Sequence, residues 1–364
     1  MRPTIMRIST EAIARNLDKF RQAIDPKVRL MCVVKAEAYG HGAVETAKRL
    51  AGHGADAFAV AIVEEAEALR GAGIECPILI LGGGGEESLR QAVRCGASQT
   101  VYTPGMLDVM QDEAVRCGKP AKAHLKLDTG MSRIGVRDEE DLRAMLAYWR
   151  RCPDVTMEGV FTHFCVADTD PVFTNIQKQR FDAGLALIHE AGYHPIAHAA
   201  ATSAMLNPAL QYDMVRPGIG LYGTGVPEME GELRYGQRLT TRPIRIQRIA
   251  AGDTVGYGRT FTARRESYIM TLPIGYGDGY PRILSNRASV LVCGQRAPLV
   301  GRVCMDMIMA DITDIPGVSM DDEVVLMGSQ GNEVITPDEL AEQAETIPYE
   351  IMLGFAARVT REVD

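Results

Sequence analysis

Short apolar runs alternate with longer stretches of helical spacing up to about residue 235 of the chain. The runs fall at residues 29–34, 56–61, 77–81, 100–102, 121–127, 155–161, 195–198 and 212–215. Between them, residues 63–71, 86–95, 106–117, 139–150 and 175–191 repeat their apolar positions every three to four residues. Short strands separated by amphipathic helices predict βαβ units and a parallel sheet, and eight of them predict a closed (β/α)8 barrel rather than an open sheet. Past residue 236 the rhythm changes. Segments 241–249, 268–273, 288–292, 297–303, 308–312 and 323–327 are short and β-prone, with turn signals between them, and one helical stretch near 337–345 interrupts them. The fold expected is α/β: a barrel over residues 1–235, then a smaller, mainly β domain of antiparallel strands over 236–364.

Composition narrows the functions such a chain can have. Its 364 residues suit two domains, and 46% apolar with 24% charged residues is the balance of a chain that fills a core, not of a disordered one. With 39 Lys and Arg against 47 Asp and Glu, the excess cation that neutralises nucleic-acid phosphates is missing. No run of about 18 apolar residues suggests a bilayer span. Residues 1–10 carry no apolar h-region, so export is not expected. The 8 cysteines are scattered, with no Cys-x-x-Cys pair, which fits reduced thiols in the cytoplasm better than disulfides or a zinc site. His194 and His198 are four apart, but Pro195 lies between them and no glutamate completes a metal motif. The run Gly82-Gly83-Gly84-Gly85 lacks the Gly-Lys-Ser/Thr of a nucleotide loop and reads as a turn.

Barrels carry their chemistry just past the C-terminal ends of their strands. The first run ends in Lys35-Ala36-Glu37-Ala38-Tyr39-Gly40-His41-Gly42. A lysine there is either held among apolar groups, which lowers its pKa and makes it nucleophilic, or simply emerges into solvent. The fifth run ends in Lys126-Leu127-Asp128-Thr129-Gly130-Met131-Ser132-Arg133, where Arg133 can clamp a carboxylate unless the loop is merely solvated. The sixth ends at His163, fit for proton transfer or for a structural hydrogen bond. The last two end at Thr202-Ser203 and at Arg216-Pro217-Gly218-Ile219-Gly220, the loops where many barrels bind phosphate. A lysine, a phosphate turn and a carboxylate-binding arginine together fit pyridoxal 5′-phosphate and an amino acid.

These motifs resemble those of the alanine racemases. Val34-Lys35-Ala36-x-Ala38-Tyr39-Gly40-His41-Gly42 is similar to the cofactor-attachment signature of that family. The likeness continues through Lys126 to Gly135, Thr162-His163-Phe164, Arg216 to Ile219, Val255-Gly256-Tyr257-Gly258, Pro273 to Tyr280, Gly301 to Asp306 and Ile347-Pro348-Tyr349-Glu350. It spans nearly the whole chain in family order. The resemblance implies a head-to-tail homodimer that interconverts L-alanine and D-alanine on a pyridoxal-phosphate aldimine and supplies D-alanine for peptidoglycan. Lys35 then holds the cofactor and serves as the base on the D side, and Tyr257, from the partner's β domain, as the base on the L side. Tyr39, Ser203, Gly218, Ile219 and Tyr349 match phosphate contacts. Arg216 faces the pyridine nitrogen and keeps it unprotonated, and His163 lies beside the ring. Arg133 and Met305 meet the substrate carboxylate, with Lys126, Tyr276 and Asp306 in support. Lys126 matches a lysine that is carbamylated in many members of the family.

Two positions depart from the family pattern. Glu37 replaces the usual Asn or Asp and is expected to face away from the site. Cys165 replaces a small residue and could alter the entrance. Tyr276 and Tyr349 match an aromatic constriction that favours alanine over larger amino acids. Competing readings are a racemase of the same fold acting on serine, lysine or many amino acids, a non-catalytic pyridoxal-phosphate carrier, and a basic-residue decarboxylase. The carriers lack a β domain, and the Gly-Tyr-Gly-Arg setting of Tyr257 argues against the decarboxylase.

Overall fold

The computed structural model describes residues 2–364. Strand β1 (Ile5–Ile8) opens the chain and is followed by a helix, Thr10–Ala23, whose N-terminus is capped by the Ser9 hydroxyl accepting from the Ala12 N–H (3.2 Å). Ile13, Leu17 and Phe20 recur along one face of this helix and are buried. The barrel then forms from β2 (Arg29–Val33), β3 (Ala57–Val60), β4 (Ile78–Ile80), β5 (Ser98–Val101), β6 (Ala121–Lys126), β7 (Val155–Phe161), β8 (Ile196–Ala201) and β9 (Met214–Arg216). All neighbours are parallel, and β9 pairs with β2 to close the ring. The predicted closed barrel is therefore present.

Two strands differ in position from the pattern of the sequence. Residues 100–102 were expected as a strand, and the observed one starts two residues earlier. Ser98, Gln99 and Thr100 are polar yet buried, because their side chains find partners inside: Thr100 Oγ1 donates to the Ile80 carbonyl (2.7 Å) and Gln99 Nε2 to that of Gly82 (2.9 Å). The strand expected at 195–198 runs from Ile196 to Ala201, ending in alanines whose low strand propensity left no signal although Ala199 and Ala200 are buried.

The second region contains β10 (Gln237–Thr241), β11 (Arg245–Ile249), β12 (Thr254–Val255), β13 (Phe261–Thr262), β14 (Ser267–Leu272), β15 (Ser289–Val292), β16 (Gln295–Pro298), β17 (Ile308–Asp311), β18 (Val324–Gln330), β19 (Glu333–Ile335) and β20 (Thr360–Val363). The larger sheet runs β16-β15-β18-β10-β1-β20, with β19 paired to β18. Its pairings are antiparallel except β1 with β20, which is parallel. The chain's first strand thus lies in the sheet of the second region. A separate sheet, β11-β14-β17, and the β12-β13 hairpin complete it. The expected late helix is Pro337–Gln343, and a further one, Pro348–Leu353, had no strong periodicity to announce it.

That last helix seats the second region against the barrel mouth. Gln237 Nε2 donates to the carbonyl of Gly40 (3.1 Å), beside the first barrel strand, and reaches that of Met352 (3.4 Å). Gly279, at φ +96°, lets the backbone of Gly354 approach so closely that a Cβ there would run into the Gly354 carbonyl. Gly279→Ala is expected to cost more than about 2 kcal/mol, combining a left-handed backbone with a clash against main chain. A lowered urea midpoint would register this, and an unchanged one would contradict the close approach.

Candidate active site

Lys35 follows β2 directly and begins a turn of unusual hand. Ala36, Glu37, Ala38 and Tyr39 all have φ between 50° and 55° and ψ between 39° and 56°, a left-handed helical turn without glycine. Such a conformation costs L residues about 1–2 kcal/mol each, so its surroundings must impose it. They do so from both sides. Glu65 accepts from the Ala36 N–H (2.6 Å) and from the Ala61 N–H (2.7 Å), tying the turn to the end of β3. The buried His41 imidazole donates from Nδ1 to the carbonyls of Ala38 (2.9 Å) and Tyr39 (3.0 Å) and stacks on Tyr222 at 4.5 Å. The turn carries Tyr39 back over the barrel mouth, its ring 4.9 Å from Tyr222 and 5.7 Å from Tyr349. Glu37 points away from the mouth, as expected, and its carboxylate accepts from the Ala43 N–H (3.1 Å), at the start of the helix Ala43–Gly52.

A cavity of about 580 Å³ opens at this mouth. Lys35, Tyr39, Lys126, Arg133, His163, Ser203, Arg216, Gly218, Ile219 and Tyr349 all line it, so the structure brings together most of the residues singled out from sequence. Four basic side chains, Lys35, Lys126, Arg133 and Arg216, line it together with the carboxylates of Asp168, Glu228 and Asp338. Burial lowers the Lys35 pKa and Arg133 lowers it further, against the pull of Glu65. Lys126 is brought down to about 7 by burial and then by Arg216, so near neutrality much of it is free amine; its Nζ donates to the Leu127 carbonyl (2.6 Å). Arg216, 3% exposed, is drawn down by burial to about 9 and remains a cation at neutral pH.

The Arg216 guanidinium is held on several sides. Nη2 donates to the carbonyls of Thr162 and Ala199 (both 2.8 Å) and reaches His163 Nδ1 (3.2 Å), while Nη1 donates to His198 Nδ1 (2.8 Å). Guanidinium nitrogens only donate, so His163 accepts at Nδ1 and keeps its proton on Nε2. Burial and Arg216 together push the His163 pKa down to about 3, leaving the ring neutral.

Past Arg216 along the chain, Gly218 and Ile219 start a short 3-10 turn that lines the same cavity as Ser203 and Tyr39. A Cβ on Gly218 would come within 2.8 Å of the Tyr39 hydroxyl, so the glycine keeps a hollow open there. The Gly218 N–H already donates to Thr202 Oγ1 (2.9 Å), which also reaches the Gly220 N–H (3.4 Å). Gly218 therefore serves the hollow chiefly through its missing side chain. Thr202 is the residue that fixes the turn.

Tyr257, Met305, Tyr276 and Asp306 do not line the cavity. Tyr257 is 74% exposed and Met305 54%, while Tyr276 and Met307 are also exposed. They share one face of the second region: the Tyr276 N–H donates to the Cys304 carbonyl (3.0 Å), the Gly277 N–H to that of Met305 (2.8 Å), and Gly301 packs on the backbone of Val255, two residues before Tyr257. Asp306 pairs with Arg358, which also binds Asp278 (2.6 Å). Cys165, expected at the entrance, does not line the cavity either: its N–H and thiol both donate to Gln177 Oε1 (3.0 and 3.3 Å). Ala167 and Asp168 line it instead.

Sequence reasoning missed Glu65, Gln177, His124 and Glu158, and weighed His198 only as a metal ligand. His124 and Lys126 sit two apart on a buried strand, a spacing that puts both side chains on the same side, and this was the available signal.

The alanine racemase N-terminal domain family matches residues 8–226, and the alanine racemase C-terminal domain family residues 237–363. Alanine racemase of Symbiobacterium thermophilum is 43% identical over 379 aligned residues, covering 99% of this chain and 97% of its own length. Alanine racemase 2 of Oceanobacillus iheyensis is 40% identical over 366, covering 99% and 93%. Among solved structures, alanine racemase from E. faecalis superposes with a TM-score of 0.93 at 37% identity, covering 100% of this chain and 98% of the other. That of Bacillus anthracis with bound L-Ala-P does so with 0.91 at 34%, covering 100% and 95%. With both domain families matched in order and relatives this similar over nearly all of its length, the chain belongs to the alanine racemase family.

Proposed function

We infer that the chain interconverts L-alanine and D-alanine with pyridoxal 5′-phosphate as cofactor. The observation that carries this reading is the arrangement of one cavity: a lysine of lowered pKa at the end of β2, a buried cationic arginine, and a hollow beside Gly218 with the hydroxyl of Tyr39 next to it and Ser203 in the same lining. These residues fit the cofactor. The space that a Gly218 Cβ would fill, beside the hydroxyls of Tyr39 and Ser203 and the backbone at Ile219, suits a phosphate, with Tyr349 closing over it. Arg216, always ready to donate, suits an unprotonated pyridine nitrogen, and Lys35 suits covalent attachment. When bound there, the cofactor supplies an electron sink that acidifies the proton on the amino acid's α-carbon.

The chain's own residues then do the rest. Lys35, as free amine, takes or returns the α-proton on one face, and burial with the neighbouring Arg133 favours that form by lowering its pKa. Racemisation needs a second base on the opposite face. Tyr257 fills that role in this proposal, brought by a second copy of the chain in a head-to-tail homodimer. Its exposure in company with Met305 and Tyr276 supports a surface meant to be covered, since contiguous exposed apolar groups mark interaction sites. Arg133, at the cavity wall, would hold the substrate carboxylate with the backbone at Met305. The Lys126 amine, its pKa brought down to about 7, is suited to carbamylation, which would put an anion near Arg133. Tyr349, with Tyr276 brought by the second copy, would confine the side chain to something as small as a methyl group.

The crystallised relative with bound L-Ala-P supports an alanine-sized substrate. The working unit in this reading divides near residue 235, with β1 lent to the second sheet. Its place is the cytoplasm, where the eight free thiols stay reduced and D-alanine is made for peptidoglycan. No described helix is long and apolar enough to cross a membrane. Borohydride reduction of the cofactor-loaded protein, followed by peptide mapping, is expected to place the cofactor on Lys35. A label on any other lysine would overturn the assignment.

A further inference from the structure

Arg216 is the upper end of a line of hydrogen bonds that descends through the barrel. Its Nη1 donates to His198 Nδ1 (2.8 Å), His198 Nε2 meets His124 Nδ1 (2.8 Å), and His124 Nε2 meets Glu158 Oε2 (3.3 Å). Both rings are buried. The direction of every bond in this line follows from its ends. A guanidinium has no acceptor, so His198 Nδ1 is bare and its proton lies on Nε2. That proton must go to His124 Nδ1, which leaves the His124 proton on Nε2, aimed at the carboxylate. One tautomer of each ring satisfies the line, and an acceptor at the bottom completes it.

The fold makes a specific provision for that acceptor. The pairing of β6 with β7 slips by one residue between Ala123 and His124: Ala123 pairs with Met157 and His124 with Gly159. Glu158 is the unpaired residue of this bulge, a device that re-aims a side chain. Gly159 then leaves room for the His124 ring, which a Cβ would strike. Glu158 Oε2 also accepts from the Ser98 hydroxyl of β5, and Oε1 accepts from Lys122 Nζ (2.9 Å). The other charged or titratable groups around the line are Lys126 and His163 near its top, both on the same side as Arg216.

We propose that Glu158 is a positioning residue for the cofactor site, acting through His124 and His198 to fix the orientation of Arg216. This rests on the reading of Arg216 as the group facing the pyridine nitrogen. Without an acceptor at position 158, His124 either leaves a buried N–H unpaired or flips and sets two donors against each other, at His198 or at Arg216. The flip is the arrangement that loosens the guanidinium at Nη1, because it carries through to a His198 proton turned toward Arg216.

Long-range 1H–15N spectra of the cofactor-loaded enzyme, labelled at histidine, report each tautomer directly and do not depend on turnover. The wild-type protein should show a bare Nδ1 and protonated Nε2 on both His198 and His124; a protonated His198 Nδ1 would overturn the proposal even in a fully active racemase. Glu158→Leu should mix the His198 tautomers and lower kcat by about 10-fold or more, while Glu158→Gln, whose amide oxygen still accepts, should keep the tautomers and stay within about threefold of wild type. A Glu158→Leu enzyme with unchanged His198 signals and activity would also overturn it. Should that variant not fold, the wild-type spectrum alone decides. An inactive wild-type enzyme with the expected tautomers would count against the function and leave the relay standing.

Discussion

Replacing Lys35 by alanine should lower the conversion of L-alanine to D-alanine by about 10⁴-fold or more without unfolding the protein. Two proposed roles disappear together in this variant, covalent attachment of the cofactor and the base on one face, so the expected loss exceeds what a single proton-transfer group supplies. The fold should persist because the left-handed turn after Lys35 is held by Glu65, His41 and Gly40 rather than by the lysine side chain. Chiral chromatography together with circular dichroism checks both halves. Retention of substantial activity would show that another amine holds the cofactor.

Tyr257→Phe removes only the base proposed for the other face. It should lower racemisation in both directions by about 10² to 10⁴-fold. Exchange of the D-alanine α-hydrogen with deuterated solvent, which needs Lys35 alone, should persist, whereas exchange from L-alanine should fall with racemisation. The same variant tests the shared site. Mixing dissociated Lys35→Ala and Tyr257→Phe subunits and letting them reassociate should restore up to about a quarter of the native activity, because half of randomly paired dimers are hybrids and one of the two sites in each is complete. No recovery would place Tyr257 in the site of its own barrel and contradict the head-to-tail arrangement.

The parts of the molecule that were readable in sequence are those where local chemistry and position agree. Barrel strands such as β3, Ala57–Val60, are uniformly buried and announce themselves as apolar runs. Lys35, Arg216 and Gly218 follow directly from where strands end. The parts that were not readable depend on distant partners. β1 and β20 are four residues each, with Arg7, Arg361 and Glu362 among them, and their parallel pairing joins the two ends of the chain. Ala36 to Tyr39 contain no Gly, Asn or Asp, so nothing local predicts φ near +50°; the reversal of hand is imposed by Glu65, His41 and the helix Pro348–Leu353. Glu158 looks like an ordinary strand residue until the bulge at Ala123/His124 turns it toward His124. His198 invited comparison with His194 as a metal pair, and its partners in the fold are Arg216 and His124 instead.

Incubation of the purified protein with pyridoxal phosphate and, separately, L-alanine, L-serine and L-lysine, with the D-enantiomer followed by chiral chromatography, tests the central claim most directly. D-alanine should form much faster than D-serine or D-lysine. D-serine or D-lysine in the lead would move the specificity away from Tyr349 and Tyr276 as its guards, and no D-amino acid at all from cofactor-loaded protein would contradict the racemase reading.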